Sequence, residues 1–329
     1  MSRRPAAAGG TLVLALAAAL AGCATPPPDS AGLANPALPP GAQAIALDGT
    51  PLFPVPIADE RRSVLERNLA EARAAYAADP SDAEAIVWMG RRLAYVGEFR
   101  GAISFFTEGI AKHPYDARFL RHRGHRWITV REFDRAVADL EKAARLVEGR
   151  PDEVEPDGQP NPSGVPIGTL HSNIDYHLAL AHFLRGEWRA AERIHVRRLA
   201  GAENDDRVCS SSYWLYLIRH RLGDADGAAR VLERITPEME LLENFDYHRL
   251  LLLYRGALPA TALDPEPGSV ASATVAYGLA QRRLIAGDRE GGLAALRGVL
   301  DEPQWAAFGF IAAEADLADS TRLAALPVR

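Results

Sequence analysis

The sequence predicts an all-α fold of stacked helix-turn-helix units, on three observations. Alanine, leucine and arginine recur along the chain, and their side chains lose little freedom on a helical backbone. From Ala58 onward the apolar residues follow a helical period, and the chain matches itself when slid by about 34 residues. Glycine followed by an acid recurs between the predicted helices, at Gly186-Glu187, Gly223-Asp224 and Gly287-Asp288. Such a glycine can take the left-handed conformation that ends one helix, and the acid suits the positive start of the next.

With 48% apolar residues in 329, the chain can supply a continuous core. Its formal net charge of -6 becomes more acidic still once the first 22 residues are removed, because they carry Arg3 and Arg4 and no acid. That balance excludes a general nucleic-acid binder, which presents an excess of cations to phosphates. The two cysteines, Cys23 and Cys209, lie far apart in the chain, and no disulfide framework is expected to support the fold. Cys209 is expected as a small buried residue near the start of a helix over Tyr213 to Leu222, with Ser210-Ser211-Ser212 as that helix's cap.

The amino terminus has three zones: basic Met1 to Arg4, apolar Thr11 to Leu20, and small Ala21-Gly22 before Cys23. This pattern is an export signal, too short for a standard membrane span. Cleavage by the ordinary signal peptidase after Ala21 or Gly22 is one reading. The other is that Leu20-Ala21-Gly22-Cys23 resembles the lipobox of bacterial lipoproteins, which implies diacylglycerol on the Cys23 thiol and cleavage before it. Acyl chains contribute about 0.8 kcal/mol per buried CH₂ and would tether the protein without a transmembrane helix. Ala24 in the next position implies, by the same resemblance, an outer membrane, with the protein facing the periplasm.

The expected domains are therefore a signal peptide over 1–22, an acylated proline-rich tether over 23–58 and a helical repeat domain over 59–329 with a long loop at 148–172. Proline lacks a backbone donor, so the tether is expected to be extended, reaching on the order of 100 Å at about 3.1 Å per residue. Its second half, Ile45 to Ile57, carries Leu47, Leu52, Phe53 and Val55, with which it can dock on the folded domain.

In the register of that self-match Gly90 falls on Gly124, Phe99 on Phe133, Ala102 on Ala136, Ile103 on Val137, Phe106 on Leu140 and Gly109 on Ala143. This arrangement resembles the tetratricopeptide repeat, strongly over residues 83 to 147 and less closely over 172 to 300. The resemblance implies a right-handed α-solenoid of about five helix pairs, with Gly90 and Gly124 where helices cross closely and Pro114 closing a repeat. A half-repeat over Glu60 to Ala78 stands in front, and Asn244 to Arg255 opens an irregular unit. Trp305 to Ala318 reads as a closing helix with a solvent-tolerant face. The stretch between Gly97 and Gly186 is well over two repeats long, and the excess falls in the Pro- and acid-rich segment 148–172. A loop of that length is usually functional or disordered.

Catalytic motifs are absent: there is no His-Glu-x-x-His, no Walker loop, no Gly-x-Ser-x-Gly and no Cys-x-x-Cys pair. No cofactor is expected. His122 and His125 share a helical face, but Arg121, Arg123 and Arg126 oppose a dication, so no metal is expected either. Asn173-Ile174-Asp175-Tyr176-His177 returns two repeat lengths later as Asn244-Phe245-Asp246-Tyr247-His248. Within each copy Asn, Tyr and His project from one side of a helix, either packing between repeats or forming two polar patches. On a straight stack with helices about 8 to 10 Å apart the copies would be roughly 20 Å apart, too far for one catalytic site.

First helices line the groove in the family this chain resembles, which places Arg91, Arg118, Arg121, His125, Asn173, Tyr176, Tyr213 and His220 there, together with His177, Asn244, Tyr247 and His248 of the paired motifs. The local excess of arginine suggests an anionic ligand or a solvated charged face. The expected function is a membrane-tethered scaffold binding a protein or peptide partner in the cell envelope. The alternative is a binder of cell-wall or oligosaccharide ligands, which requires exposed aromatics such as Trp188 or Trp214 to face the groove; an enzyme would require Asp, His and Tyr to converge within hydrogen-bond reach.

Overall fold

The computed structural model describes residues 38–327, so the signal segment, Cys23 and the first half of the tether lie outside it. Among the described residues thirteen α-helices follow a short antiparallel hairpin of β1 (Ala44–Ile45) and β2 (Pro51–Leu52). In order they are α1 (Asp59–Ala78), α2 (Ala83–Tyr95), α3 (Phe99–Lys112), α4 (Ala117–Thr129), α5 (Phe133–Val147), α6 (Leu170–Leu184) and α7 (Trp188–Ala200). Then come α8 (Asp205–Arg221), α9 (Ala225–Leu232), α10 (Phe245–Arg255), α11 (Val270–Ile285), α12 (Arg289–Val299) and α13 (Phe308–Ala318). Each helix packs on its chain neighbour from α1 to α9, which is an all-α repeat array.

The local signals behave as their chemistry requires. Asp82 accepts from Glu84 N and Ala85 N at the start of α2, and Asp224 and Asp288 cap α9 and α12 through the third residue on. Gly97, Gly186, Gly223 and Gly287 all have positive φ between the helices of a pair. Gly90 and Gly124 sit at close crossings: a Cβ on Gly90 would lie 2.4 Å from Phe106 Cε1, and one on Gly124 would lie 2.6 Å from Leu140 Cγ. We expect Gly124→Leu to overpack that crossing by about 1–3 kcal/mol or more. Thermal unfolding followed by circular dichroism checks this, and an unchanged midpoint would refute the register.

The expected serine cap is corrected, while Cys209 and the second half of the tether lie as expected. The cap of α8 is Asn204, which accepts from Arg207 N; Ser210, Ser211 and Ser212 lie inside the helix, buried. Cys209 is fully buried beside Met239, and burial together with Asp206 and Asp205 pushes its thiol up to about 12. The second half of the tether belongs to the folded body. Arg100 donates from its backbone N and Nε to Gln43, Trp305 Nε1 donates to Phe53 O at 2.6 Å, and Leu47 N donates to Glu314 at 2.9 Å.

The closing helix is the largest correction. Every residue from Gly309 to Asp316 is buried, so α13 is no solvent-facing cap. It packs on α11, α12 and α6 and returns to the first repeats. Phe99 meets Trp305 edge-on at 5.3 Å, and Arg131 pairs with Glu314 while donating to Trp305 O at 2.9 Å. Arg131 stands where the repeat register calls for a turn glycine, and it keeps the glycine's conformation with φ 68°. A side chain there costs roughly 1–2 kcal/mol of backbone strain, offset by the buried contacts of its guanidinium.

Candidate functional site

The loop after α5 is ordered against the helices as a strap. Val154 bridges Thr169, Glu155 N donates to Gly168 O, and Leu170 N donates to Glu153 O, closing residues 153–170 on themselves. From there the strap crosses to both sides. Arg91 Nη2 donates to Pro156 O at 2.8 Å and Arg92 Nη1 to Gly158 O at 2.9 Å, while Asn161 Nδ2 donates to Glu243 at 2.9 Å beyond α9. Gly158 fits because a Cβ there would lie 2.0 Å from Tyr95 Oη.

Beneath the strap lies a cavity of about 360 Å³, walled by α2, α4, α6, α8 and α10 and floored in part by Phe308 of α13. Of the residues singled out from sequence, it is lined by Arg91, Arg121, Asn173, Tyr176, His177, Asn244 and Tyr247. The two Asn-x-Asp-Tyr-His copies therefore converge, contrary to the wide separation expected of a straight stack: Tyr176 Oη and Tyr247 Oη are 3.0 Å apart. The array curves, and α8 lies between the two helices. Its Trp214 donates from Nε1 to Tyr176 Oη at 3.2 Å, and its Tyr213 stacks on Tyr247 at 4.6 Å.

The other predicted residues lie elsewhere. Arg118 is held at the surface by Asp116 and Glu84, each at 2.6 Å. His220 sits edge-on to Tyr216 near the end of α8, and His248 Nε2 hydrogen-bonds Thr236 O at 2.8 Å. Tyr213 is buried behind Tyr247, and His125 lies beside the cavity with its ring 4.2 Å from that of His177.

Glu155 of the strap organises the wall beneath it. Its carboxylate lies 3.0 Å from Arg121 Nε and 3.0 Å from His122 Nε2, and accepts from Asn173 Nδ2 at 2.7 Å. Burial alone would raise its carboxyl, but Arg121, His122 and Asn173 outweigh that and hold it well below the usual carboxylate range. His122 takes Arg121 Nη1 on Nδ1 at 2.9 Å and presents Nε2 to Glu155, an arrangement that a neutral ring satisfies completely. Burial and then Arg121 pull its pKa down to about 3.

Sequence reasoning missed Arg198, Arg207 and Glu243. Arg198, on α7, reaches the cavity with its guanidinium 5.1 Å from the Tyr176 ring centroid. It donates only to neutral oxygens, Ser211 Oγ at 2.6 Å, Ser172 Oγ at 3.2 Å and Ser172 O at 3.3 Å. Arg91 likewise has only the Pro156 carbonyl and the Tyr95 hydroxyl. Arg126 has no carboxylate within ion-pair distance among the described residues, and burial followed by Arg121 and Arg91 pulls it down to about 9. Buried cations without a carboxylate are costly unless something else compensates them. The signal available in the sequence was position: Arg198 belongs to a second helix, which the repeat pattern assigns to the outer layer.

No family model and no curated protein matches the chain. Among solved structures it is similar to YrrB, a TPR protein with an unusual peptide-binding site, at 15% identity over 71% of this chain and 92% of that one, with a TM-score of 0.40. It is also similar to Pseudomonas aeruginosa pilF at 14% identity over 73% and 85%, TM-score 0.43. A tetratricopeptide repeat protein from Parabacteroides merdae matches at 15% identity over 74% and 88%, TM-score 0.45.

Proposed function

We propose that this chain is an exported, lipid-anchored helical-repeat adaptor of the cell envelope that holds a protein or peptide partner by an anionic part entering the cavity under the strap. The observation that carries the reading is Arg198: a guanidinium only 7% exposed, at a cavity wall, with no carboxylate partner among the described residues. A carboxylate delivered from outside would meet that charge in a water-poor setting, where charge-assisted hydrogen bonds are strong. The anchor rests on Leu20-Ala21-Gly22-Cys23 alone. Among the described residues no helix is long and apolar enough to cross a membrane.

The oligosaccharide reading needed an aromatic platform facing the groove. Trp214 is instead fully buried and Trp188 lies under Arg221 and Arg322. Of the Asp, Tyr and His of the repeated motif that a catalytic reading would use together, Asp175 turns away to Arg197 at 2.7 Å.

One capture experiment from detergent-solubilised membranes tests the proposal. Arg198→Met keeps the apolar stem and removes the charge. Partners captured by wild type should fall at least tenfold with this variant, provided its melting curve shows a folded protein. Cys23→Ser should move the protein out of the membrane fraction after high-salt washing. Identical partner profiles would defeat the cavity reading, and a membrane-bound Cys23→Ser would defeat the anchor.

A further inference from the structure

The cavity carries unneutralised charge of both signs. Arg91 and Arg198 have neutral partners only, whereas Arg207 is paired with Glu203 at 3.5 Å. Asp157 of the strap and Glu243 ahead of α10 line the same cavity, and neither is in ion-pair contact with a cation among the described residues. If these acids and arginines were meant only to balance one another, a surface with rotatable side chains would pair them. No ion pair joins them; Asp157 and Glu243 adjoin each other instead, Glu243 accepting from Asn161 and Asp157 from the backbone N of Gln159.

We infer that the cavity takes a small zwitterion of amino-acid or dipeptide size, its carboxylate directed to Arg198 and its ammonium group to Asp157 and Glu243. The inference rests on the anion reading above and narrows it to a ligand with both charges. Size supports the choice: about 360 Å³ is at the lower end of the roughly 300–1,000 Å³ typical of small-molecule sites. The tyrosine pair supplies a further donor. Trp214 donates to Tyr176 Oη, so whichever phenol donates to the other, one phenolic hydrogen is left over for a third acceptor. Burial and the adjoining Asp157 push the Glu243 carboxyl up, as expected of two carboxyls close together. Phe308 and Ile167 offer an apolar surface for a side chain.

The test uses the full-length protein in detergent, immobilised, against four probe pools: free amino acids with free-ended dipeptides, the same compounds N-acetylated, the same compounds C-amidated, and aliphatic dicarboxylates. Retained compounds are read by mass. Components of the free-ended pool should be retained, and blocking either end should lower retention at least tenfold. Glu243→Gln, at an exposed position, should abolish the preference for a free amine while keeping the need for a free carboxylate. Retention of dicarboxylates without free-ended compounds would overturn the zwitterion and leave the anion site standing. Indifference to blocking would overturn it as well, and retention of no pool would overturn both readings.

Discussion

Asp316→Ala should destabilise the protein by about 3–5 kcal/mol, the usual consequence of removing one partner from a buried ion pair. The Asp316 side chain is wholly buried and holds four neighbours from three elements. Oδ2 lies 2.7 Å from Arg221 Nη2 of α8 and accepts from Tyr277 Oη at 3.0 Å and Gln281 Nε2 at 3.1 Å, both of α11. Oδ1 takes Arg322 Nε at 3.1 Å from the 3₁₀ turn Ser320–Leu323. Arg322 in turn donates to Leu184 O and Phe183 O, capping the carbonyl end of α6. Removing the carboxylate therefore strands two guanidinium groups in the core and loosens the helix that carries Tyr176. At roughly 2–4 °C per kcal/mol for a domain of this size, the loss should lower the melting temperature by about 6–20 °C. Asp316→Asn, which keeps the shape and one acceptor oxygen but replaces the other with a donor and removes the charge, should fall between. Urea unfolding that leaves Asp316→Ala as stable as wild type, with no more change than an exposed substitution produces, would show that α13 is not held by this cluster.

The helix pairs were legible because close packing leaves a periodic mark: Gly90 and Gly124 must be small where Phe106 and Leu140 press on them, and turn glycines recur where φ is positive. The fate of α13 was not legible in the same way. Its apolar residues mark it as buried, but no repeat period tells which surface it covers. The clue was chemical: Glu314 and Asp316 inside Phe308 to Ala318, a run apolar on all sides, require buried cations, and Arg131, Arg221 and Arg322 supply them. For the cavity, the repeated Asn, Tyr and His pointed to the right walls, but distance along a stack is not distance in space. Curvature closes what sequence spacing opens. The strap's composition showed that it was unusual, whereas the value of Glu155 depends on Arg121, His122 and Asn173, none of which is near it in the repeat register.

Acid should unfold this protein earlier than its carboxylates alone require, because three buried histidines and the half-buried His125 are held uncharged. His122 is pulled down to about 3, and His125, His177 and His195 lie well below the ordinary 6.5, burial being the main cause for each. The sign follows from proton uptake. Below pH 6.5 the unfolded chain protonates these rings while the folded one does not, so stability falls as pH drops from about 6.5 toward 3. Each ring contributes a slope of up to about 1.4 kcal/mol per pH unit. Glu155 acts in the same direction in a lower window, since its carboxylate is favoured in the fold and its contribution is lost as pH falls below the ordinary 4.5. The charged groups facing the cluster of His122, His125 and His177 are Arg91, Arg121, Arg126 and Glu155, and the cations outnumber the acid, so protonation there meets added repulsion. His195 is separable from that cluster: it is fully buried on α7, neither ring nitrogen has a hydrogen-bond partner, and Arg198 is its charged neighbour. His195→Leu should raise stability at pH 7.5 by about 1–3 kcal/mol, because it removes two unsatisfied polar atoms. The same change should make the decline from pH 6.5 to 5 shallower by one proton. Urea unfolding at half-unit pH steps reads both effects. A midpoint that stays constant between pH 7.5 and 5 in wild type, or a slope that His195→Leu leaves unchanged, would mean that these rings gain protons in the folded state as readily as in the unfolded chain.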